Sequence, residues 1–331
     1  MNRITSYVMR AFAGALLAAF FVLQAGTVQA AGKVRVALGD VVSVETLNVL
    51  IALERAKDRG VDYELTSFAK EELAIQAVVN GQTDLGIGTP YSVIQKAKLP
   101  LRVLFQVSRL VFFPVASNDI KSWKDLDGQP FTFHARGSGT EAIGNILAKH
   151  NGITFGQRSY VPGSENRIIA MMNGQIKATI VDLANKNLLL SKAGDRFHVL
   201  PGLDDVASDE VVFANQNWVK DNSETVSIVI EEMLGVWREM TKNPGMIEAE
   251  RAKRNLLADQ PKEILDEVVP FYTEGAKEGL FDPNGGGEGA AKADFEFYVE
   301  AGQLEGPADS LKVEEYWDLG PLNAAKKKLG S

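Results

Sequence analysis

The stretch Pro130–Lys149, PFTFHARGSGTEAIGNILAK, decides the fold of this chain. Phe131–His134 reads as a short apolar strand, and Gly137-Ser138-Gly139-Thr140 as a turn opening a helix in which Ile143, Ile146 and Leu147 recur at helical spacing. A helix that begins there leaves its first N–H groups unpaired at the positive end of the helix dipole. Two hydroxyls, two glycines and Arg136 beside those donors make the turn attractive to an anion. The same residues also suit a turn that binds nothing, with Ser138 or Thr140 acting only as a helix cap.

Outward from this unit the same alternation continues in both directions. Short apolar strands are expected at Val34–Leu38, Val61–Thr66, Asp84–Gly88, Leu101–Val107, Val111–Ala116, Ala178–Asp182, Phe197–Leu200 and Glu210–Ala214, with helical patterns near Glu45–Lys57 and Leu73–Asn80. That order predicts an α/β chain with largely parallel sheets. From about Asn217 the pattern turns helical, with Val226, Ile230, Leu234 and Trp237 on one face. Asp282–Gly289 (DPNGGGEG) reads as a loop.

At the N-terminus, Arg3 and Arg10 precede an apolar run that ends near Ala25, and Val28-Gln29-Ala30 offers a cut site. This is the pattern of a secretory signal over residues 1–30, too interrupted for a membrane span. The 331-residue chain has no cysteine and a formal charge of −8. Disulfides and thiolate chemistry are thereby excluded, a nucleic-acid partner has little electrostatic support, and a monomer free in the periplasm is expected. With 45% hydrophobic residues, the exported part is long enough for two domains.

Four segments have the form of a strand running into a ligand-side loop: Ala37–Asp40 with Ser43 and Glu45, Gly86–Tyr91, Arg136–Thr140, and Val161–Glu165. Leu73–Lys98 (LAIQAVVNGQTDLGIGTPYSVIQKAK), Asn118–Gly152, Met171–Leu183 (MMNGQIKATIVDL) and Val211–Asn222 (VVFANQNWVKDN) together resemble the periplasmic solute-binding proteins of ABC importers for nitrate, sulfonates, taurine and thiamine-precursor pyrimidines. NGQTDLGIG and NGQIKATIVD are the strongest elements. GSGTE also resembles the TAXI-type receptors of TRAP transporters, although Leu38–Ser43 lacks their Gly- and Tyr-rich loop, and Lys177 stands where the ABC proteins usually carry an acid.

The resemblance implies the type II periplasmic-binding-protein fold: two α/β lobes joined by two crossover strands, here 31–115 with 214–331, and 116–213. Phe112–Ala116 and Val211–Asn215 are the expected crossings, and the C-terminal helices are expected to pack back on the first lobe. It further implies capture of a small solute, a sulfonate or carboxylate being favoured, and delivery to an ABC permease. A TRAP permease or a sensory partner is the alternative. Arg136 is the expected anion partner, with Ser138 and Thr140 as hydroxyl donors and Arg109 as a second cation. Thr89 and Tyr91 are expected to face the solute from the first lobe, with Asp40, Ser43 and Phe68, while Asp182 and Asn185 orient a polar group from the second. No enzyme is expected. His134, His150 and His198 show no metal-ligand spacing, and neither Gly-x-Ser-x-Gly nor a P-loop lysine is present. No cofactor is called for.

Overall fold

In the computed structural model, which describes residues 33–203 and 207–330, the chain builds two five-stranded sheets. The expected signal segment, with Arg3, Arg10 and the cut near Ala30, lies outside the described residues. The first sheet has the order β2 (Tyr63–Ser67), β1 (Val34–Leu38), β3 (Leu85–Gly88), β10 (Val211–Asn215), β4 (Leu101–Gln106). The second has the order β7 (Arg158–Tyr160), β6 (Phe131–Phe133), β8 (Ala178–Asp182), β5 (Phe112–Ser117), β9 (Phe197–Val199). In each sheet one strand, β10 or β5, runs antiparallel to both neighbours, and it is the strand that follows a passage between sheets.

Central strands are apolar throughout because helices cover both faces. Val36, Leu38, Leu85, Ile87, Val103, Phe105, Val211 and Phe213 are all buried. Helices α1 (Leu47–Asp58), α2 (Glu71–Val79) and α3 (Tyr91–Ala97) belong to the first sheet, and α4 (Gly139–Asn151), α5 (Ser164–Met172) and α6 (Leu183–Ala193) to the second. The C-terminal third is helical from α7 (Gln216–Asp221) and α8 (Ser223–Lys242) onward. Helix α8 buries Val226, Ile230, Leu234 and Trp237, as its periodicity predicts.

The chain leaves the first sheet after Gln106 and returns to it at Val211, so Phe112–Ala116 and Val211–Asn215 are not the crossings themselves. They are central strands, each apolar because both faces are covered. The passages run side by side just before them: Val107 N and Ser108 N donate to Glu210 O (2.9 and 3.2 Å), Leu110 N to Ala207 O (2.9 Å) and Asp209 N to Ser108 O (2.9 Å). This polar ribbon carries no periodicity. The C-terminal helices also touch more than the first sheet's layer. Asn145 Nδ2 donates to Ala301 O at 3.1 Å, and Asn187 Nδ2 to Glu274 Oε2 at 2.7 Å.

Candidate functional site

Ligands of doubly wound sheets bind beyond the carboxyl ends of neighbouring strands whose connections depart in opposite directions. β1 and β3 form such a pair in the first sheet, β6 and β8 in the second. Asp40 follows β1, Thr89 follows β3, His134 follows β6 and Asp182 ends β8.

Carboxyl groups converge on this crevice. Glu71, at the start of α2, reaches across Gly39 and Gly88 to accept from Thr89 N. A Cβ at Gly39 would lie 3.0 Å from Glu71 Cγ and one at Gly88 2.9 Å from it, so glycine is needed at both positions to admit the side chain. Burial, opposed by the bonds from Thr89, pushes the Glu71 carboxyl up to about 7. The Glu210 carboxyl is pushed up to about 8 by burial and by Asp40 and Glu71, and its oxygens accept no hydrogen bond among the described residues. Burial also raises Glu45, whose neighbours are Asp182, Asp40, Glu210 and Glu165, and raises Asp209 beside Glu210, Glu71 and Asp40. Asp40 is raised by burial despite the Val41 N–H and Arg167, and Glu165, at the exposed rim, is raised chiefly by desolvation. These side chains keep partial access to water at the crevice mouth yet are surrounded by protein, which hydrates their charged forms poorly.

Against seven carboxyls (Asp40, Glu45, Glu71, Glu165, Asp182, Asp209, Glu210) stands the guanidinium of Arg167. It is 1% exposed and donates to Ile180 O (3.3 and 3.0 Å), Val161 O (2.9 Å) and Ser164 Oγ (2.8 Å). Four of its five N–H donors are therefore occupied by neutral acceptors. Burial lowers its pKa to about 10, with Asp182, Glu165, Asp40 and Glu45 opposing. His134 accepts from Gly163 N through Nδ1 (3.2 Å), and burial together with Arg167 lowers it to about 4. It offers a neutral Nε2–H.

The expected anion turn has a different role. Arg136 is exposed, its guanidinium 5.4 Å from the centre of the Tyr160 ring. Ser138 Oγ donates to Ala135 O at 2.8 Å, and Thr140 Oγ1 accepts from His134 N at 3.0 Å, so both hydroxyls hold the turn itself. The helix start is covered by the chain's own acids. Glu141 Oε2 accepts from Gly137 N at 2.7 Å, and a Cβ at Gly139 would meet Asp209 Oδ1 at 2.8 Å and Leu110 Cδ2 at 2.5 Å.

Tyr91 does not face the crevice: it is 1% exposed, stacks on Tyr298 at 5.1 Å and donates its hydroxyl to buried Asp294. Arg109 pairs with Asp282 at 3.2 Å on the first passage. Ser43 caps a helical turn through Glu45 N (3.2 Å), and Thr89 Oγ1 donates to Asp209 O (3.0 Å). Phe68 is half-buried against the core. Asn185 donates its amide to Asp182, which caps α6 by accepting from Asn185 N at 2.8 Å. Of the expected residues, Asp40 and Asp182 are the ones the crevice brings together. Sequence reasoning passed over Glu71, Arg167, Asp209 and Glu210. The signal that would have found the three acids is an acid on nearly every ligand-side loop; Arg167, inside a helix, carried none.

The sequence profile of the family described as NMT1/THI5 like matches residues 49–247. The chain belongs to this family. A search of curated protein sequences found no match. The fold of this NMT1/THI5-like protein is that of periplasmic binding proteins, as three solved structures illustrate. A protein from Bordetella bronchiseptica is 19% identical, with 90% of this chain and 98% of that one covered and a TM-score of 0.72. The periplasmic nitrate-binding protein NrtA from Synechocystis is 13% identical over 90% and 89%, with a TM-score of 0.67. The putative sulfonate ABC transporter protein SsuA from Methylobacillus flagellatus is 16% identical over 91% and 96%, with a TM-score of 0.63.

Proposed function

We propose that this protein is a periplasmic solute-binding protein that closes two lobes on a small organic cation and delivers it to the permease of an ABC importer, with no covalent chemistry. The lobes follow the two sheets, 33–106 with 211–330 and 112–199, and 107–111 with 200–210 serves as the hinge. Family membership and fold support the binding and delivery. The excess of carboxyls over guanidinium in the crevice carries the choice of a cation.

Like charges held in a poorly hydrated space repel, and a cation entering it relieves that repulsion. Two unit charges 4 Å apart interact by about 4 kcal/mol at an effective dielectric of 20. An anion would gain that attraction chiefly from Arg167, four of whose five donors are already occupied, and would meet those carboxyls that are ionised. The sulfonate or carboxylate expected from the sequence is therefore the poorer fit. Among the described residues the acidic side chains do not gather tightly enough to hold a metal ion, which favours an extended organic cation.

A thermal-shift screen of the mature protein at pH 8 tests the reading, with primary, quaternary and amidine cations in one arm and sulfonates, carboxylates and nitrate in the other. A solute at 100 times its Kd stabilises by about 2.7 kcal/mol. Stabilisation by cations is expected. Stabilisation by anions and by no cation would overturn the choice of solute. Uptake of the stabilising cation should cease in cells lacking this chain, and unchanged uptake would remove the delivery step.

A further inference from the structure

The second sheet's wall of the crevice carries an open donor as well as an acid. Thr132 pairs with Thr179 in the parallel register of β6 and β8, and neighbouring strands lie about 4.8 Å apart, so His134 and Asp182 leave the sheet side by side at its switch point. The start of α5 ties the two ends together. Gly163 N donates to His134 Nδ1 at 3.2 Å, and Ser164 Oγ accepts from Asp182 N at 3.3 Å and from Arg167 Nη2 at 2.8 Å.

The backbone of His134 is pinned as well, its N donating to Thr140 Oγ1 at 3.0 Å. A ring nitrogen that accepts carries no hydrogen, so the neutral ring bears its hydrogen on Nε2. Burial and Arg167 keep that ring neutral down to about pH 4, which makes Nε2–H an uncharged donor at neutral pH. Nε2 has no partner among the described residues and is not sealed from water. Neighbouring donors are already spent: Ser138 Oγ on Ala135 O (2.8 Å), Thr89 Oγ1 on Asp209 O (3.0 Å) and Asn185 Nδ2 on Asp182 Oδ2 (2.9 Å). When lobe closure takes the Nε2–H from water, an acceptor must replace the water or the donor is left unpaired at a cost.

We propose that the crevice selects cations that carry an uncharged oxygen acceptor (ether, hydroxyl or carbonyl) about two to four carbons from the charged nitrogen, the spacing that adjacent strand ends set. The nitrogen lies toward Asp182, and the oxygen accepts from His134 Nε2–H. This rests on the cation reading above and narrows its class of solute. In the oxygen's place, a second cationic group would face Arg167, and a carboxylate would face the crevice's acids.

Titration calorimetry of the full mature protein at pH 8 tests this with isosteric pairs in which an ether oxygen replaces one methylene: 2-methoxyethylamine with butylamine, 3-methoxypropylamine with pentylamine, and 4-methoxybutylamine with hexylamine. In at least one pair the ether should bind at least about tenfold tighter, the size of one donor left unpaired by the alkylamine. His134→Asn sets an amide oxygen where Nδ1 accepts from Gly163 N and ends short of the Nε2 position, and in it the same ratio should fall to about unity. The comparison within the parent needs no variant. Equal affinity of ether and alkylamine in every pair, or an undiminished ratio in His134→Asn, would overturn the proposal and leave the cation reading in place. Binding of none of these amines would overturn it too, and the quaternary and amidine cations of the thermal-shift screen then decide the cation reading separately.

Discussion

Replacing Glu210 by Gln should stabilise the unliganded protein increasingly as the pH rises above about 4.5, with the full gain reached above about pH 8. The folded protein holds a proton on Glu210 up to about pH 8, against an ordinary value of 4.5, because burial and then Asp40 and Glu71 disfavour its charge. Since the folded state binds that proton more tightly than the unfolded chain, stability is highest below about pH 4.5 and falls as the pH rises towards 8. At 1.36 kcal/mol per unit the gap bounds the penalty at about 5 kcal/mol, and screening by crevice water reduces it to about 2 kcal/mol. Glutamine is the uncharged analogue, and the Glu210 oxygens accept no hydrogen bond among the described residues for the substitution to break. Urea unfolding without solute should therefore give parent and variant nearly equal stability at pH 5, and a variant more stable by about 2 kcal/mol at pH 8.5. The variant should also bind the cation more weakly, because the repulsion that the solute relieves has been removed in advance. Equal stability at pH 8.5, or a gain that is larger at pH 5, would refute the reasoning.

Other substitutions separate structural from solute-facing residues. Tyr91→Phe removes a donor from buried Asp294, which keeps Ser208 N at 2.6 Å and Ser208 Oγ at 3.0 Å; a loss of about 1–3 kcal/mol in urea with unchanged solute affinity is expected. Arg136→Ala should change stability by less than about 1 kcal/mol and leave cation binding intact, whereas a severe loss of binding in calorimetry would restore the anion turn as the site. Arg167→Met strips donors from the Val161 and Ile180 carbonyls and leaves the carboxyls unbalanced. It should cost about 3–5 kcal/mol, more at pH 8 than at pH 5, in the same urea measurement.

Element type and order were legible in the residues. Val34–Leu38 and Ala178–Asp182 are strands at their expected bounds, because uninterrupted apolar runs between turn residues have few other stable uses. The edge strand Arg158–Tyr160 was not legible: it is short, polar and held by pairing with Phe131–Phe133. Ser43 and Asp182 were expected to serve the solute, and hydrogen bonds from Glu45 N and Asn185 N, two and three residues on, make each a helix cap. Tyr91 misled because a tyrosine after a strand looks the same whether its hydroxyl meets a solute or an aspartate 203 residues away.

By itself the sequence determined that this chain alternates strands and helices into an α/β fold and places polar loops at strand ends, because those properties rest on residues adjacent in the chain. The sign of charge in the crevice was decided only by tertiary structure. Asp40, Glu71, Asp182 and Glu210 are ordinary acids on separate loops, and their charges act together only where the sheets and the returning passage bring them into one poorly hydrated space. The same passage lays Asp209 over the helix at Gly139, closing the turn whose residues alone promised an anion site.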